Sequence, residues 1–222
     1  MGHVPHVLVP QPWDGDHLSL ADGAVHHLER VMRLRAGDGL SYTDGAGRAG
    51  YGTYSAASMR RGAERVVARA EPLLTLAVAA PRAAERARYL VEKAAEVGTD
   101  RLVWLETLRG GARPPAASKV AAWARAALEQ SRAAWLMETG ATVSLGDLAA
   151  EGPFLAANPG GLTWSRAREA VAGGAGLTVA IGPEGGFDDD ELPAAAVAVA
   201  LGERILRVET AVVVVAALVR SA

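Results

Sequence analysis

A glycine-rich heptapeptide, Ile-Gly-Pro-Glu-Gly-Gly-Phe at residues 181–187, is the most chemically informative stretch of the chain. It follows the apolar run 177–181 and precedes the acidic run 188–191. Glycine and proline favour a tight turn after a buried strand, where ligands bind in open α/β sheets, and glycine lets a ligand approach the backbone closely. The acidic run disfavours a phosphate and favours a neutral or cationic ligand. A turn without a ligand is the alternative, since turns of this composition are common.

Two further segments combine polar residues with helix signals. Residues 201–211 run from a turn into a final helix, and residues 212–219 of that helix are almost all apolar. A helix that is apolar on every side must be buried, either in a core or in a subunit interface. Residues 129–132, Glu-Gln-Ser-Arg, end an alanine-rich helix. Taken alone, that polar stretch is typical of a solvated helix end.

Basic residues near the N-terminus suit contact with an anion. His26, Arg30 and Arg33 are spaced to lie on one face of a predicted helix, and arginine presents a planar fork to phosphate oxygens. A solvated face explains the same spacing equally well. Residues 45–50 fit the pattern G-x-G-x-x-G, but strand-like residues follow where a dinucleotide site needs a helix. We therefore predict a turn there.

Composition excludes several classes of protein. The 222 residues include no cysteine, which excludes a disulfide framework, a thiolate metal site and a cysteine nucleophile. Histidines and carboxylates show no ligand-like spacing, so no metal is predicted. The longest apolar run, 211–219, is too short for a membrane span and no secretory signal is visible, so a cytoplasmic protein is expected. Residues 81–135 carry 10 basic and 6 acidic side chains, which permits nucleic-acid binding without requiring it.

The predicted strands and helices that position these residues form two regions of the chain. Residues 1–71 are β-rich with one helix, which we expect Asp22 to begin and Gly37 to stop, and Pro72 marks the boundary. From residue 73 onward apolar strands alternate with helices, which predicts a largely parallel sheet covered on both faces. Predicted strands are 4–9, 39–43, 50–55, 65–70, 73–80, 102–105, 153–157 and 177–181. Predicted helices are 22–34, 83–97, 118–136, 164–171, 190–199 and a last one from 208.

Taken in order, several segments resemble the ribosomal RNA small-subunit methyltransferase E family: HHLERVMRLRAGD, DGAG, VEKAAEVG, EQSR, IGPEGGF and LGERILRVETA. Members of this family are SPOUT-class enzymes that use S-adenosylmethionine to methylate the N3 atom of a uridine in 16S ribosomal RNA. The resemblance implies an α/β protein with an N-terminal PUA-like β-barrel for RNA at 1–71. It implies a SPOUT methyltransferase domain with a trefoil knot at 72–222. It also implies a homodimer that binds the RNA of the small ribosomal subunit, with neither membrane nor metal.

The resemblance further implies that three loops of the knot hold the cofactor, largely through backbone groups. Carried over by position, the S-adenosylmethionine-binding residues are Leu155, Ala157, Asn158, Gly182, Pro183, Glu184, Gly185, Gly186, Leu201, Ile205, Leu206, Arg207, Glu209, Thr210 and Ala211. The expected RNA-binding residues are His26, Arg30, Arg33, Arg35 and Arg109. The chain departs from the family pattern at Leu108, Ala133 and Asn158.

Methylation of a uridine nitrogen needs a proton acceptor and support for an anion. The uracil anion attacks the methyl group without a covalent enzyme intermediate, so the missing cysteine is no obstacle. No histidine follows residue 27, so a general base in the methyltransferase domain would have to be a carboxylate or water, and Glu129 is our candidate. Arg132 and Arg207 are predicted to stabilise charge on the uracil oxygens. Alternatively, these three residues only orient RNA or stabilise the dimer.

Two other functions remain open at this point. One is a SPOUT methyltransferase that acts on another RNA, although the segment HHLERVMRLRAGD favours the ribosomal substrate. The other is a non-catalytic RNA-binding module, although such a module has no need of the IGPEGGF and RILRVETA segments.

Overall fold

The computed structural model describes residues 4–109, 112–188 and 190–221, and it is an α/β protein. The chain forms two compact units. The first comprises Met1–Arg69 with Leu128–Leu136, and the second comprises Ala70–Ala127 with Met137–Ala222. The division into domains 1–71 and 72–222 stays a prediction. That division assigned Leu128–Leu136 to the second domain, whereas the structure groups this segment with the first unit.

The strands and helices are numbered in chain order. The strands are β1 His6–Leu8, β2 His17–Ser19, β3 Gly39–Thr43, β4 Arg48–Ser55, β5 Ser58–Val66, β6 Leu73–Val78, β7 Arg101–Leu105, β8 Glu138–Val143, β9 Phe154–Leu162, β10 Gly176–Ile181 and β11 Val197–Val199. The α-helices are α1 Asp22–His26, α2 Ala84–Glu96, α3 Ala117–Ser131, α4 Leu145–Ala149, α5 Trp164–Ala170 and α6 Val208–Arg220. A π-helical turn, His27–Val31, follows α1 directly.

The first unit is a five-stranded sheet in the order β1-β3-β4-β5-β2, curled as a half-barrel. β1 runs parallel to β3, and the other neighbouring strands are antiparallel. Leu40, Tyr42 and Met59 are fully buried in its apolar core. The sheet confirms the β-rich character of the N-terminal region. β3 has the bounds predicted for it.

The strand predicted at 65–70 is wrong, because the hairpin that precedes it turns earlier than expected. β5 begins at Ser58 and pairs with β4 through a two-residue turn, with Ser55 opposite Ser58. The turn residues Ala56 and Ala57 have φ angles of 32° and 62°. Such turns need positive φ at both residues and usually contain glycine or asparagine. Two alanines gave no turn signal in the sequence.

The single helix predicted at 22–34 is also wrong in its extent. α1 ends at His26, and the chain continues as a π-helical turn in which the N–H of Met32 donates to the carbonyl of His27 at 3.1 Å. Arg33 then adopts a left-handed conformation with a φ of 57°. Asp22 lies in the first turn of α1 rather than at its N-cap. The basic residues of this region therefore do not share one regular helix face.

The segment Leu128–Leu136 is bound to the hairpin between β3 and β4. The amide of Gly47 donates to the carbonyl of Ala134 at 3.0 Å, and the amide of Leu136 donates to the carbonyl of Gly45 at 2.8 Å. A side chain at Gly47 would come within 2.4 Å of the Trp135 ring. The G-x-G-x-x-G pattern is thus the predicted turn, since β4 follows it and its glycines allow this close contact.

The second unit is a six-stranded sheet in the order β11-β9-β10-β6-β7-β8, and every neighbouring pair is parallel. This confirms the parallel sheet predicted from the alternation of strands and helices. α6 lies against α2 and the central strands β6 and β10. Its residues Val212, Val215 and Ala216 are fully buried, as expected for so apolar a helix.

Several predicted bounds in the second unit are corrected. The predicted helix at 190–199 does not form: described residues 190–196 are turns and irregular backbone, and β11 then pairs with β9. Pro193 lacks the amide hydrogen that a helix interior needs. The helix predicted to reach residue 136 ends at Ser131, because Arg132 is left-handed with a φ of 58°. β8 and the short α4 were not predicted, and Asp189 of the acidic run lies outside the described residues.

Neither a membrane span nor a metal-binding cluster is found in the part of the chain that the structure describes. No helix in this part is long and apolar enough to cross a bilayer. In the same part no three histidine or carboxylate side chains gather as a metal site would require.

Candidate functional site

A cavity of about 360 Å³ lies in the second unit, next to the carboxyl ends of β9 and β10. We call it the loop cavity, and three segments line it: residues 157–159, residues 181–187, and residues 201–211 in part. Its position is where ligands bind in open parallel α/β sheets. Its central segment is the glycine–proline motif from which the sequence predicts a ligand-binding turn.

The first segment is an excursion of β9 out of the sheet. Ala156 of β9 pairs with Ala198 of β11, but the next pair joins Leu162 to Val199. The residues between leave the ladder, and the Asn158 side chain accepts a hydrogen bond from the Gly160 amide at 3.0 Å. At Gly161 a side chain would come within 2.5 Å of the β11 backbone, so only glycine lets the strands pass.

The second segment is a turn stabilised by its own backbone and by an aromatic ring. The amide of Gly186 donates to the carbonyl of Pro183 at 2.8 Å, and Gly186 has a φ of 73°, which favours glycine. Phe187 is nearly buried in the core beneath the turn. A side chain at Gly182 would come within 3.1 Å of the Phe187 ring. The turn therefore depends on glycine for its shape as well as for access.

The third segment presents backbone groups that the protein itself does not use. Among the described residues, the peptide groups of 201–206 make no hydrogen bond with the rest of the backbone. Peptide groups are strong donors and acceptors that are normally paired when they leave water. A ligand in the loop cavity would find these groups available. The side chains here are mixed, with Leu201 and Leu206 half-buried and Ile205 87% exposed.

An ion-pair cluster joins α2, the turn and α6. Arg86 donates to both carboxylate oxygens of Glu209 at 2.9 Å each, and its third nitrogen donates to Glu184 at 2.9 Å. Burial raises the pKa of Glu209, but the hydrogen bonds and charge of Arg86 outweigh it and hold that pKa below its usual value. The carboxylates of Glu209 and Glu184 in turn raise the pKa of Arg86. Glu209 is thus an ionised carboxylate held by Arg86 in the first turn of α6.

The loop after β7 is attached to the turn from the other side. Arg109 donates to the carbonyl of Gly185 at 3.0 Å and forms an ion pair with Asp188. The amide of Leu108 donates to Glu191 at 2.6 Å. Arg109, expected to bind RNA, therefore also positions the glycine turn. Its side chain remains about half exposed.

The structure brings most of the expected cofactor-binding residues together. Those that line the loop cavity are Ala157, Asn158, Gly182, Pro183, Glu184, Gly185, Gly186, Leu201, Ile205, Leu206 and Ala211. Leu155 is fully buried in β9, and Arg207 and Thr210 are exposed at the start of α6. None of these three lines the cavity, and neither does Glu209. Their roles in binding stay predictions.

Sequence reasoning missed other residues of this site. Ile181, Phe187, Gly202, Arg204 and Val208 line the cavity as well. They lie inside the motifs IGPEGGF and LGERILRVETA, so taking each motif whole would have included them. Arg86 had no such signal, because its partner Glu209 is 123 residues away in the chain.

The remaining candidates belong to the first unit. Glu129 accepts a hydrogen bond from the amide of Leu8 at 3.2 Å, and Arg132 donates to the carbonyl of Val4 at 2.8 Å. Both lie in the segment Leu128–Leu136, whereas Arg207 lies in the second unit. The other expected RNA-binding residues are exposed in the first unit: His26, Arg30, Arg33 and Arg35.

The second unit, a parallel α/β sheet with a loop-built cavity at the carboxyl ends of its strands, has the architecture of an α/β ligand-binding domain. The profile of the RNA methyltransferase domain family matches residues 69–220. The chain belongs to this family and, within it, to the ribosomal RNA small subunit methyltransferase E family, as two curated relatives show. It is an RNA methyltransferase.

Those relatives carry the name "Ribosomal RNA small subunit methyltransferase E". The Synechocystis protein is 29% identical over 228 residues, covering 92% of this chain and 73% of its own length. The Mycobacterium tuberculosis protein is 30% identical over 223 residues, covering 85% of this chain and 80% of its own.

Two solved structures share the fold over nearly the whole chain. A probable rRNA-methyltransferase from Porphyromonas gingivalis has a TM-score of 0.83 at 25% identity and covers 98% of both chains. The Neisseria gonorrhoeae ribosomal RNA small subunit methyltransferase E, solved bound to S-adenosyl methionine, has a TM-score of 0.83 at 22% identity and covers 99% of this chain and 98% of its own. The expected α/β fold of the SPOUT class is confirmed.

Proposed function

We propose that this chain uses S-adenosylmethionine to methylate N3 of a uridine in 16S ribosomal RNA of the small ribosomal subunit. The observation that carries the proposal is the loop cavity, in which three backbone segments of the family's motifs meet. The names of the curated relatives support the ribosomal substrate, and the cofactor bound in the Neisseria structure supports the donor.

The lining of the loop cavity suits S-adenosylmethionine. Its volume of about 360 Å³ lies within the usual range for small-molecule sites, roughly 300–1,000 Å³. The free peptide groups of 201–206 suit the hydrogen-bonding edge of an adenine. Glu184 and Arg204 line the wall with one charge of each sign, which suits an amino-acid group that carries both an ammonium and a carboxylate. The bound cofactor would supply an electrophilic methyl group on sulfur.

The chain's own residues must then bind the RNA, remove the N3 proton and stabilise the anion. We retain Glu129 as the proton acceptor, since a carboxylate can act as a general base. Arg132 and Arg207 are retained as the cations that stabilise charge on the uracil oxygens. If Glu129 accepts the proton, Glu129→Gln lowers kcat and leaves S-adenosylmethionine affinity unchanged. A full kcat in this variant would assign proton removal to water.

The substrate RNA would contact the exposed basic residues of the first unit. His26, Arg30, Arg33 and Arg35 lie on or beside the π-helical turn and are all exposed. Each phosphate contact contributes to salt-dependent binding. Arg109 in the second unit is a further candidate, with its guanidinium half exposed beside the glycine turn.

A homodimer is part of the proposal. α6 buries one side against its own unit, while Val213, Val214 and Leu218 are only partly buried and Ala217 is exposed. These four positions recur at helical spacing and form an apolar stripe on one face. A second copy of the chain would cover the stripe across a two-fold axis.

Two measurements test the proposal. Mass-spectrometric mapping of 16S ribosomal RNA from a strain lacking the gene should show one N3-methyluridine missing, and the wild-type gene should restore it. Isothermal titration calorimetry should show S-adenosylmethionine binding that Ala211→Leu weakens at least tenfold, because Ala211 lines the cavity and is buried. Ala170→Leu, at an exposed position of α5, is the matched control. Normal ribosomal RNA together with a loss at a uridine of another RNA would reassign the substrate.

A further inference from the structure

A second cavity, of about 180 Å³, lies on the first unit and takes no part in the loop cavity. We call it the sheet groove. His6, Ser41 and Tyr51 occupy one row across β1, β3 and β4, because His6 pairs with Ser41 and Ser41 pairs with Tyr51. Residues paired in this way project from the same face of a sheet. Arg132, from the segment Leu128–Leu136, also lines the groove.

Buried, immobile groups form the floor of the groove. The His6 ring is 9% exposed and Ser41 is 4% exposed. One ring nitrogen lies 2.9 Å from the Ser41 hydroxyl and the other lies 3.3 Å from the carbonyl of Ala133. Burial lowers the pKa of His6, which favours the uncharged form of the ring. Since both nitrogens have protein partners, the ring maintains the shape of the groove. Glu64 also lines the groove, and its carboxylate is paired with Arg48 and Arg61.

The rim carries one exposed aromatic ring and two guanidinium groups. Tyr51 is 56% exposed. Arg65 is exposed on β5 and makes no side-chain hydrogen bond or ion pair with any residue that the structure describes. Arg132 uses one of its five N–H groups on the carbonyl of Val4. Both cations can therefore take an anionic or polar ligand.

The backbone at Arg132 closes the end of α3 beside the groove. Arg132 follows α3 with a φ of 58°, at the position where helices usually end in glycine. The amide of Ala133 donates to the carbonyl of Leu128, which closes the helix end around it. An arginine at positive φ is strained, and such strain in native proteins concentrates at functional sites. The chain tolerates this strain at a residue that lines the groove.

From this arrangement we infer that the sheet groove binds one unpaired nucleotide of the RNA substrate. Tyr51 would stack on the base, and Arg65 would contact a flanking phosphate. A volume of about 180 Å³ is too small for a whole small-molecule ligand, typically roughly 300 Å³ or more, and suits a single base. Bases become accessible to stacking in single-stranded RNA, whereas in a duplex they remain paired. The inference rests on the proposed action on RNA.

Ultraviolet cross-linking tests the stacking contact directly. The full-length protein is irradiated with a short single-stranded oligouridine and digested with trypsin. We expect a uridine adduct on Tyr51, in the peptide that spans residues 49–60. The adduct should vanish in Tyr51→Ala and with a duplex of the same uridine strand. Absence of the adduct from wild-type protein that binds the oligouridine would overturn the assignment, as would equal yield from the duplex.

Binding measurements separate the groove from a general basic surface. Tyr51→Ala should lose about tenfold in affinity for the oligouridine, and Tyr51→Phe should keep wild-type affinity. Arg65→Ala should lower the slope of log affinity against log salt by about 0.7. The matched control is Arg60→Ala, an exposed arginine of the same strand outside the groove. Equal losses in the two arginine variants would mean a diffuse electrostatic surface and would refute the groove.

Two readouts keep failure of the groove distinct from failure of the proposed function. S-adenosylmethionine affinity reports on the second unit and should not change in Tyr51→Ala. If wild type methylates RNA but Tyr51→Ala and Arg65→Ala bind oligouridine normally, the groove is refuted and the function stands. If wild type neither binds the cofactor nor methylates RNA, the function is refuted. Thermal melting of each variant confirms that it is folded.

Discussion

Arg86 and Glu209 face each other with two parallel hydrogen bonds, each 2.9 Å long, which join α2 to the first turn of α6. The Glu209 side chain is 11% exposed and that of Arg86 is 28% exposed, so the pair is shielded from water on one side. A bidentate arginine–carboxylate pair fixes orientation as well as charge. Since α6 contributes Val208 and Ala211 to the loop cavity, the pair determines where one wall of the cavity stands.

Removing Arg86 should therefore harm both stability and cofactor binding. Arg86→Ala leaves the Glu209 carboxylate buried without its partner, and we expect a loss of about 2–3 kcal/mol in unfolding free energy, somewhat less than for a fully buried pair. Cofactor affinity should fall as well, because the wall is no longer fixed. Chemical denaturation and calorimetry measure the two effects.

Glu184 provides the comparison for this prediction. It accepts the third hydrogen bond of Arg86, but its side chain is 69% exposed. Exposed ion pairs contribute at most about 1 kcal/mol, so Glu184→Ala should change stability little. If both variants were equally stable, the bidentate pair would have no structural importance.

Acid should destabilise the first unit through Glu64. The hydrogen bond from Arg61, with further help from Tyr42 and from the charges of Arg61 and Arg48, lowers the pKa of Glu64 from 4.5 to about 2. A carboxyl group whose pKa is lower in the folded state stabilises the fold above its unfolded pKa, and this contribution disappears as the pH falls. Unfolding free energy should therefore decline between about pH 4.5 and pH 2.

The variant Glu64→Gln isolates this effect. It removes the titrating group, so the part of the acid-induced decline that Glu64 causes should be absent. Denaturation curves at several pH values, monitored by tryptophan fluorescence, measure the difference. An unchanged pH profile in the variant would assign the decline to other carboxylates.

The strained conformation of Arg132 leads to a prediction in which stability and binding separate. Arg132→Gly removes the guanidinium and also relieves the positive φ, which costs an ordinary residue about 1 kcal/mol or more. Arg132→Ala removes the same guanidinium but keeps the strain. RNA affinity should fall equally in both, while the glycine variant should be more stable than the alanine variant by about 1 kcal/mol. Filter binding and thermal melting measure the two quantities.

Two outcomes of this comparison would contradict the role given to Arg132. If the glycine and alanine variants are equally stable, the left-handed conformation is not retained in solution. If both bind RNA as wild type does, Arg132 serves only to attach the segment to Val4.

Local chemistry explains which parts could be predicted from the sequence. The turn at 182–186 was located correctly because proline and glycine restrict the backbone within a few residues. The parallel sheet followed from the alternation of apolar runs with helical spacing. The hairpin at Ala56–Ala57 was missed because its positive φ angles are imposed by strand pairing and not by its residues.

Longer-range contacts explain the rest. Residues 197–199 are an apolar stretch that fits a helix or a strand, and pairing with β9 decides the outcome. The binding of Leu128–Leu136 to the first unit depends on contacts such as that of Trp135 with Gly47, which no local pattern reveals. The same holds for the ion pair of Arg86, whose partners lie in two other segments.

The last prediction concerns the apolar stripe of α6. Val213 and Val214 are only partly buried within one chain, and burying a valine fully contributes roughly 1.5 kcal/mol or more. If two copies meet through this stripe, as proposed, Val213→Asp places a charge in their contact and converts the dimer to a monomer with loss of methylation. Light scattering measures the mass, and Ser165→Asp, which adds the same charge at an exposed position of α5, should remain dimeric. Val213→Thr, which keeps the shape without a charge, should weaken the dimer and still fold. A Val213→Asp variant that stayed dimeric and active would show that the two copies meet through another surface.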